Sequence, residues 1–464
     1  MRAFLSFLIL LLLTACSNLP LPGGPTQQPT DTPAAGPARP TPGPTGSSTP
    51  TPGPPVLQVW LPPEFDPAVD SPASSLLAAR LDEYLERRPG VQLDVRVKAV
   101  EGPGGLLDAL TTASAAAPMA LPDLVALPRS VLEVAALKGL LHPFDNLSQA
   151  IDGPDWYEYA RQLARLQNST FGLPFAGDAL QLVYRPEHIP TPPGSLNDLH
   201  DLATPLVFPA AEQEALFTLA QYLSAGGSVL DEQGRPHLDQ EPLERVLAHY
   251  GQGAVGEDFP QWLAQVSGDA QAWDAFLEGR SHMVVTWTSR FLQDLPPDVQ
   301  AGLLPTLSGD PFTLADGWVW AMAGANAENQ SLAVELAEFL TESRFLAQWT
   351  AAAGYLPPRP SALARDPEAA PTDTPTPQPS PTAGPSLTPG GPEEPAESEA
   401  QEQAPLPDLT TILDSIALSS RLYPSSDVLI SLGPPLQEAV LGVLRQELDP
   451  AAAAQAAVNR LSSP

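Results

Sequence analysis

The chain has 464 residues, 43% of them apolar, and 22 Lys and Arg against 54 Asp and Glu, for a formal net charge of -32. That balance excludes nucleic acid as a partner and electrostatic adhesion to anionic lipid, and a solvated acidic surface accounts for it. A single cysteine excludes disulfide bracing and thiolate metal clusters, so stability rests on the apolar core that a chain of this length can build.

At the start, Arg2 precedes an apolar run from Ala3 to Leu13, and Leu13, Thr14 and Ala15 lead into Cys16. A basic residue, a short apolar stretch and small residues before a cut make an export signal, and cleavage there leaves Cys16 as a lipid-bearing N-terminus. The run is shorter than the roughly 20 residues that span a bilayer. Residues 1–16 are therefore expected to be a lipoprotein signal ending in its lipidated cysteine, with everything beyond it outside the cytoplasm and held to the membrane by acyl chains only. Residues 17–55 are rich in Pro, Thr, Gly, Ser and Ala, which predicts a disordered stalk.

Periodic apolar sequence begins at Val56. Residues 56–61 predict a strand, and Ser74 is the expected cap of a helix with Leu77, Leu81, Tyr84 and Leu85 on one face. Val91, Leu93, Val95 and Val97 alternate as a second strand. A helix from Leu106 to about Ala117, a strand over 122–127 and a helix carrying Leu132, Ala135, Ala136 and Leu140 complete a βαβαβ pattern. Right-handed crossovers then give a parallel sheet with its ligand side at the carboxyl strand ends. Further along, a helical face with Trp273, Phe276 and Leu277 ends at Gly279. Strands follow at 283–287 and 318–322, and then one long helix from about Glu328 to Thr350.

From residue 366 to 406 the composition returns to Pro and Thr and then becomes acidic, with Glu393, Glu394, Glu397, Glu399 and Glu402. Such a stretch is expected to be disordered. Apolar periodicity resumes at Leu409, and residues 407–464 are short for an independent core, so 366–406 reads as an insertion within one fold spanning 56–365 and 407–464. Enzyme signatures are missing. Neither lysine, Lys98 or Lys138, sits in a phosphate-binding loop, and there is no Gly-x-Ser-x-Gly elbow or His-Glu-x-x-His helix. The six histidines are scattered and suggest no metal cage, and no cofactor is implied. The many carboxylates leave paired-acid glycosidase chemistry as an open alternative to binding.

The stretches 122–127, 139–145, 171–185, 279–287, 316–318 and 354–363, in that order, resemble the extracellular solute-binding proteins of family 1, the maltose-binding-protein type. Residues 436–444 and 449–458 are similar to that family's last two helices. The resemblance implies an α/β, two-lobed periplasmic-binding-protein-like fold with mixed sheets, an interlobe cleft and a disordered insertion before the C-terminal helices. It implies a non-catalytic, monomeric receptor that binds a small solute, a carbohydrate, and delivers it to the permease subunits of an ABC importer. A surface-tethered binding or sensory protein of the same fold, without transport, is the alternative. At the strand ends facing the groove the resemblance places Trp60, Arg129, Asp178, Trp287, Trp318, Tyr355 and Arg359, where aromatic faces stack on sugar rings and charged groups bind hydroxyls. Each tryptophan can equally be core or hinge packing. Asp178 can end a turn after Gly177, and Tyr355 and Arg359 can brace the segment leading into the insertion.

Overall fold

The computed structural model describes residues 54–202, 204–324, 326–363 and 408–462. The expected signal with Cys16, nearly all of the stalk and the whole 366–406 segment lie outside the described residues. Eleven strands are formed among those described: β1 (Val56–Leu61), β2 (Gln92–Val97), β3 (Leu124–Pro128), β4 (Arg165–Leu166), β5 (Ser169–Thr170), β6 (Gly172–Tyr184), β7 (Leu206–Val207), β8 (Met283–Trp287), β9 (Gln300–Gly302), β10 (Thr313–Ala321) and β11 (Ser420–Leu422). Nine of them make one sheet in the order β2-β1-β3-β10-β6-β8-β7, with β11 beside β10 and β9 beside β6. The βαβαβ start is observed, since β1 pairs in parallel with β2 and with β3. The sheet becomes mixed where β10 runs antiparallel to β3 and β6, and β6 antiparallel to β8.

The cores follow from strand alternation. In β1, Leu57, Val59 and Leu61 enter one core while Trp60 enters the core on the opposite face. In β3, Leu124 and Ala126 divide from Val125 and Leu127 in the same way. A third core is built on β8, the far half of β6 and the helices Leu216–Ser224 and Gln240–Gly256. β6 and β10 connect the two lobes. Ala179 belongs to the first lobe's core and Leu180 to the second's; on β10, Leu314 lies in the second and Ala315 in the first. The chain thus crosses between lobes beside one cross-strand pair, Asp178 and Asp316.

Two glycines let a helix lie directly on this crossing. A Cβ on Gly177 would fall 2.1 Å from the Tyr159 hydroxyl, and one on Gly317 would meet the Ala176 carbonyl at 2.4 Å and Leu163 at 2.8 Å. Both contacts come from helix Glu158–Ala164 or the partner strand, so neither position has room for a side chain. The tail completes the second lobe's core. Helix Ser426–Leu444 contributes Leu432, Leu436, Val440, Val443 and Leu444, and helix Pro450–Ser462 contributes Ala453, Ala454 and Ala457. The former is long and apolar enough to cross a membrane, but 61% of its apolar window is buried in the protein.

Several boundaries differ from expectation. Ser71, not Ser74, caps helix Pro72–Arg87, accepting a hydrogen bond from the Ser74 amide at 3.1 Å, because Pro72 fits the first helical position. Leu140 lies beyond helix Arg129–Leu137, which ends before Gly139 at φ 67°. The long helix expected over 328–350 is two helices, Ala327–Leu340 and Ser343–Ala353. Arg80 donates to the Phe339 carbonyl at 2.7 Å and meets Glu342 at 2.6 Å, satisfying a backbone group at the break. The change of direction places Phe345, Leu346 and Trp349 in the first lobe's core.

Candidate functional site

Beside the crossing lies an open cavity of about 250 Å³, lined by Asp178, Asp269, Trp287, Ser289, Arg290, Gln293 and Asp316. Each wall follows from local structure. β8 ends at Trp287, which pairs with Leu180 of β6, and helix Thr288–Asp294 starts at once, so Ser289, Arg290 and Gln293 stand at the carboxyl end of a strand. Asp178 is tied to that helix, accepting from the Ser289 amide at 2.9 Å and the Ser289 hydroxyl at 2.5 Å, and from the Ala179 amide at 3.0 Å. Asp269 accepts from Thr286 Oγ1 at 2.5 Å and from Arg290 Nε at 3.1 Å, which fixes the guanidinium at the rim. Asp316 hydrogen-bonds the Tyr423 hydroxyl, and its Oδ1 is enclosed without a hydrogen-bond partner.

Burial pushes the Asp178 carboxyl up to about 7, with the neighbouring charge of Asp316 adding to the rise against the opposing Ser289 hydrogen bonds. Asp316 is raised too, by burial above all, against the Tyr423 hydroxyl. Two cross-strand carboxylates beside one cavity disfavour each other's charged form. The wall therefore offers acceptors, one guanidinium and one half-buried indole, a set suited to a small polar solute.

Of the seven residues singled out from the sequence, Asp178 and Trp287 line this cavity. Trp60 does not, being 3% exposed in the first lobe's core with Lys98 Nζ 5.1 Å from its ring centroid. Trp318 packs edge-on against Phe65 at 4.9 Å, and Tyr355 stacks on Trp349 and hydrogen-bonds Trp318, so both join an aromatic cluster and neither lines the cavity. Arg129 is ion-paired with Glu133 at 2.6 Å and borders a different surface pocket with Arg161, Arg165 and Tyr423. Arg359 lies over the Trp156 ring at 3.9 Å and reaches Asp155 at 3.5 Å, bracing the start of helix Pro360–Leu363.

Asp269, Ser289, Arg290, Gln293 and Asp316 were not singled out. Asp316 had a signal, since it stands two residues before Trp318 and hence on the same face of its strand. Ser289, Arg290 and Gln293 had none, because only the packing of the short helix after β8 brings them to Asp178, and Asp269, at the start of helix Asp269–Leu277, reaches the site only through Thr286 and Arg290.

Comparison with known proteins gives this geometry its family. The family model described as bacterial extracellular solute-binding protein matches residues 79–376, more than half of the chain. The chain belongs to the bacterial extracellular solute-binding proteins. Membership places this solute-binding protein outside the cytoplasm. Its fold is similar to that of a cyclo/maltodextrin-binding protein complexed with maltotetraose, at TM-score 0.65 and 19% identity over 89% of this chain and 98% of that one. It is also similar to the sugar-binding protein MalE of Xanthomonas citri, at TM-score 0.64 and 16% identity, with coverage of 88% and 96%. Maltose-bound T. maritima MalE3 follows at TM-score 0.60 and 15% identity, with coverage of 88% and 99%. No curated protein matches the sequence. The two-lobed solute-binding fold is thus shared with these structures.

Proposed function

We propose that this solute-binding protein is a lipid-anchored receptor that captures a carbohydrate between its lobes and delivers it to an ABC importer. The observation that carries the reading is the cavity at the lobe crossing, where the half-buried Trp287 stands beside carboxylates and a guanidinium at the end of β8. An indole face packs against a sugar ring while the charged groups hydrogen-bond its hydroxyls. The sugar ligands named for the similar structures support this solute class. Asp178 and Trp287 are the sequence-derived residues proposed to touch solute, joined by Asp269, Ser289, Arg290, Gln293 and Asp316. The protein acts by binding, without a chemical step, as a monomer. Cys16 carries the lipid, and residues 366–406 are an insertion inside one fold, consistent with the packing of helix Pro360–Leu363 on helix Leu409–Ser419.

Thermal shift of the full-length protein against maltose, maltotriose, cellobiose and mannotriose tests the reading, because a ligand at 100 times its dissociation constant stabilises by about 2.7 kcal/mol. A midpoint rise of several degrees with at least one sugar is expected, and no rise with any sugar would overturn the solute class. The anchor is tested separately. Cys16→Ser should move the protein from the membrane to the soluble fraction or leave it uncleaved, and retention of this variant through a carbonate wash would contradict lipid anchoring.

A further inference from the structure

The charge balance of the cavity points beyond a neutral sugar. Its wall presents three carboxylates, Asp178, Asp269 and Asp316, and one guanidinium, Arg290. Arg290 is committed to Asp269, at 3.1 Å. The charge of Arg129 also acts on Asp316, but its guanidinium is paired with Glu133 at 2.6 Å. Asp178 and Asp316 therefore face each other across β6 and β10, and among the described residues neither has a cation in ion-pair contact. Like charges directly opposed on neighbouring strands destabilise a sheet, and enclosed carboxylates need compensation.

The partners that Asp178 does have are neutral, two amides and one hydroxyl. Asp316 Oδ1 is enclosed without any donor. A sugar hydroxyl would supply a hydrogen bond there but no charge. Resting on the reading of this cavity as the solute site, we propose that the solute is a sugar carrying a positively charged amine, held with its ammonium between Asp178 and Asp316 and its ring toward Trp287.

Each part of the cavity has a role in this arrangement. An ammonium carries three donors and no acceptor, which matches the carboxylate oxygens of Asp178 and Asp316. The indole of Trp287 attracts a cation as well as a sugar face. A metal ion is the competing cation, and among the described residues no three His, Cys, Asp or Glu are grouped to hold one. At about 250 Å³ the cavity lies below the roughly 300–1,000 Å³ of pockets that enclose drug-sized ligands, so it suits one or two rings. Burial above all, with the charge of Asp316 added, raises the Asp178 carboxyl to about 7, and a cation between the two would oppose both effects.

The test is titration calorimetry on the full-length protein in detergent at pH 7. The probes are glucosamine, galactosamine, mannosamine and the glucosamine disaccharide, each beside its N-acetylated form and its neutral parent sugar, with spermidine as a cation lacking a ring. At least one amino sugar is expected to bind ten-fold or more tightly than its acetylated and neutral counterparts, with affinity falling several-fold as salt rises from 50 to 500 mM. Asp316→Asn and Asp178→Asn should each abolish the ten-fold preference. Should a variant fail to fold, the acetylation contrast and the salt dependence on the unaltered protein decide the matter. Neutral sugars binding as tightly as their amino forms would overturn the charge assignment and leave the carbohydrate reading intact. Spermidine binding with no sugar binding would overturn the carbohydrate reading and the amino-sugar assignment with it, and so would no binding by any probe.

Discussion

On the first lobe's side of the crossing, Phe65 contacts Phe175, Trp318, Trp349 and Tyr355 edge-on at 4.9–5.7 Å, and Phe175 stacks on Trp320 at 4.5 Å. On the second lobe's side, Trp287 has no aromatic neighbour among the described residues, and it borders the cavity with Asp269 and Arg290. Both regions place tryptophans at or near strand ends. In the first, ring-on-ring contacts join half-buried Trp318 and Tyr355 to buried Phe65, Phe175, Trp320 and Trp349. In the second, half-buried Trp287 packs on the second lobe's core and also lines the cavity. Trp318 and Trp287 are both half-buried, so the aromatic neighbours of the ring, not its exposure, distinguish the two.

This contrast can be broken from several directions. Removing residues 408–462 should have the largest effect, because Leu432, Leu436, Val440 and Val443 are part of the second lobe's core. Loss of cooperative unfolding by circular dichroism is expected, whereas an unchanged transition would make the tail a separate module. Next, Trp320→Ala removes a ring that is 2% exposed and should cost about 3–5 kcal/mol of stability in urea denaturation. Solute affinity of the fraction that remains folded should be nearly unaltered.

A smaller effect concerns pH. The folded state holds the Asp178 proton up to about 7, while the unfolded chain releases it near 3.8, so the folded state binds more protons across that window. Stability from this group is therefore lost as pH rises from about 4 to 7. Glu212, pushed up to about 7 by burial, contributes with the same sign. Asp178→Asn should flatten the unfolding midpoint against pH over this window, and an unchanged slope would show that Asp178 is ionised throughout. Replacing residues 366–406 by a short Gly/Ser connector should change least, with a midpoint shift of only a few degrees, because doubling a loop costs only about 0.6 kcal/mol.

The strands could be read from the sequence where alternation and punctuation agree, as at Val56–Leu61 and Met283–Trp287. The break at Thr341 could not, because Ala327 to Ala353 carries no proline or glycine, and tertiary partners such as Arg80 determine it. The site was half legible for a similar reason. Trp287 ends β8 and Asp178 stands midway along β6, and the family pattern marks both. Ser289, Arg290 and Gln293 reach the cavity only through the packing of a seven-residue helix, and no spacing in the sequence announces it. Trp60 and Trp318 carry the same sequence signal, and sequence alone holds no record of the core that buries Trp60 or of the Phe65 ring against Trp318.

The claim that the cavity beside Trp287 is the solute site is tested most directly by titrating Trp287→Ala and Trp318→Ala with whichever panel sugar stabilises the protein most. Trp287→Ala is predicted to weaken binding by about 1–3 kcal/mol, roughly 5- to 150-fold, with the unfolding free energy changed by less than about 1 kcal/mol. Trp318→Ala is predicted to show the reverse, a loss of stability with affinity nearly retained. Undiminished affinity in Trp287→Ala together with lost affinity in Trp318→Ala would contradict the account and move the solute to the aromatic cluster.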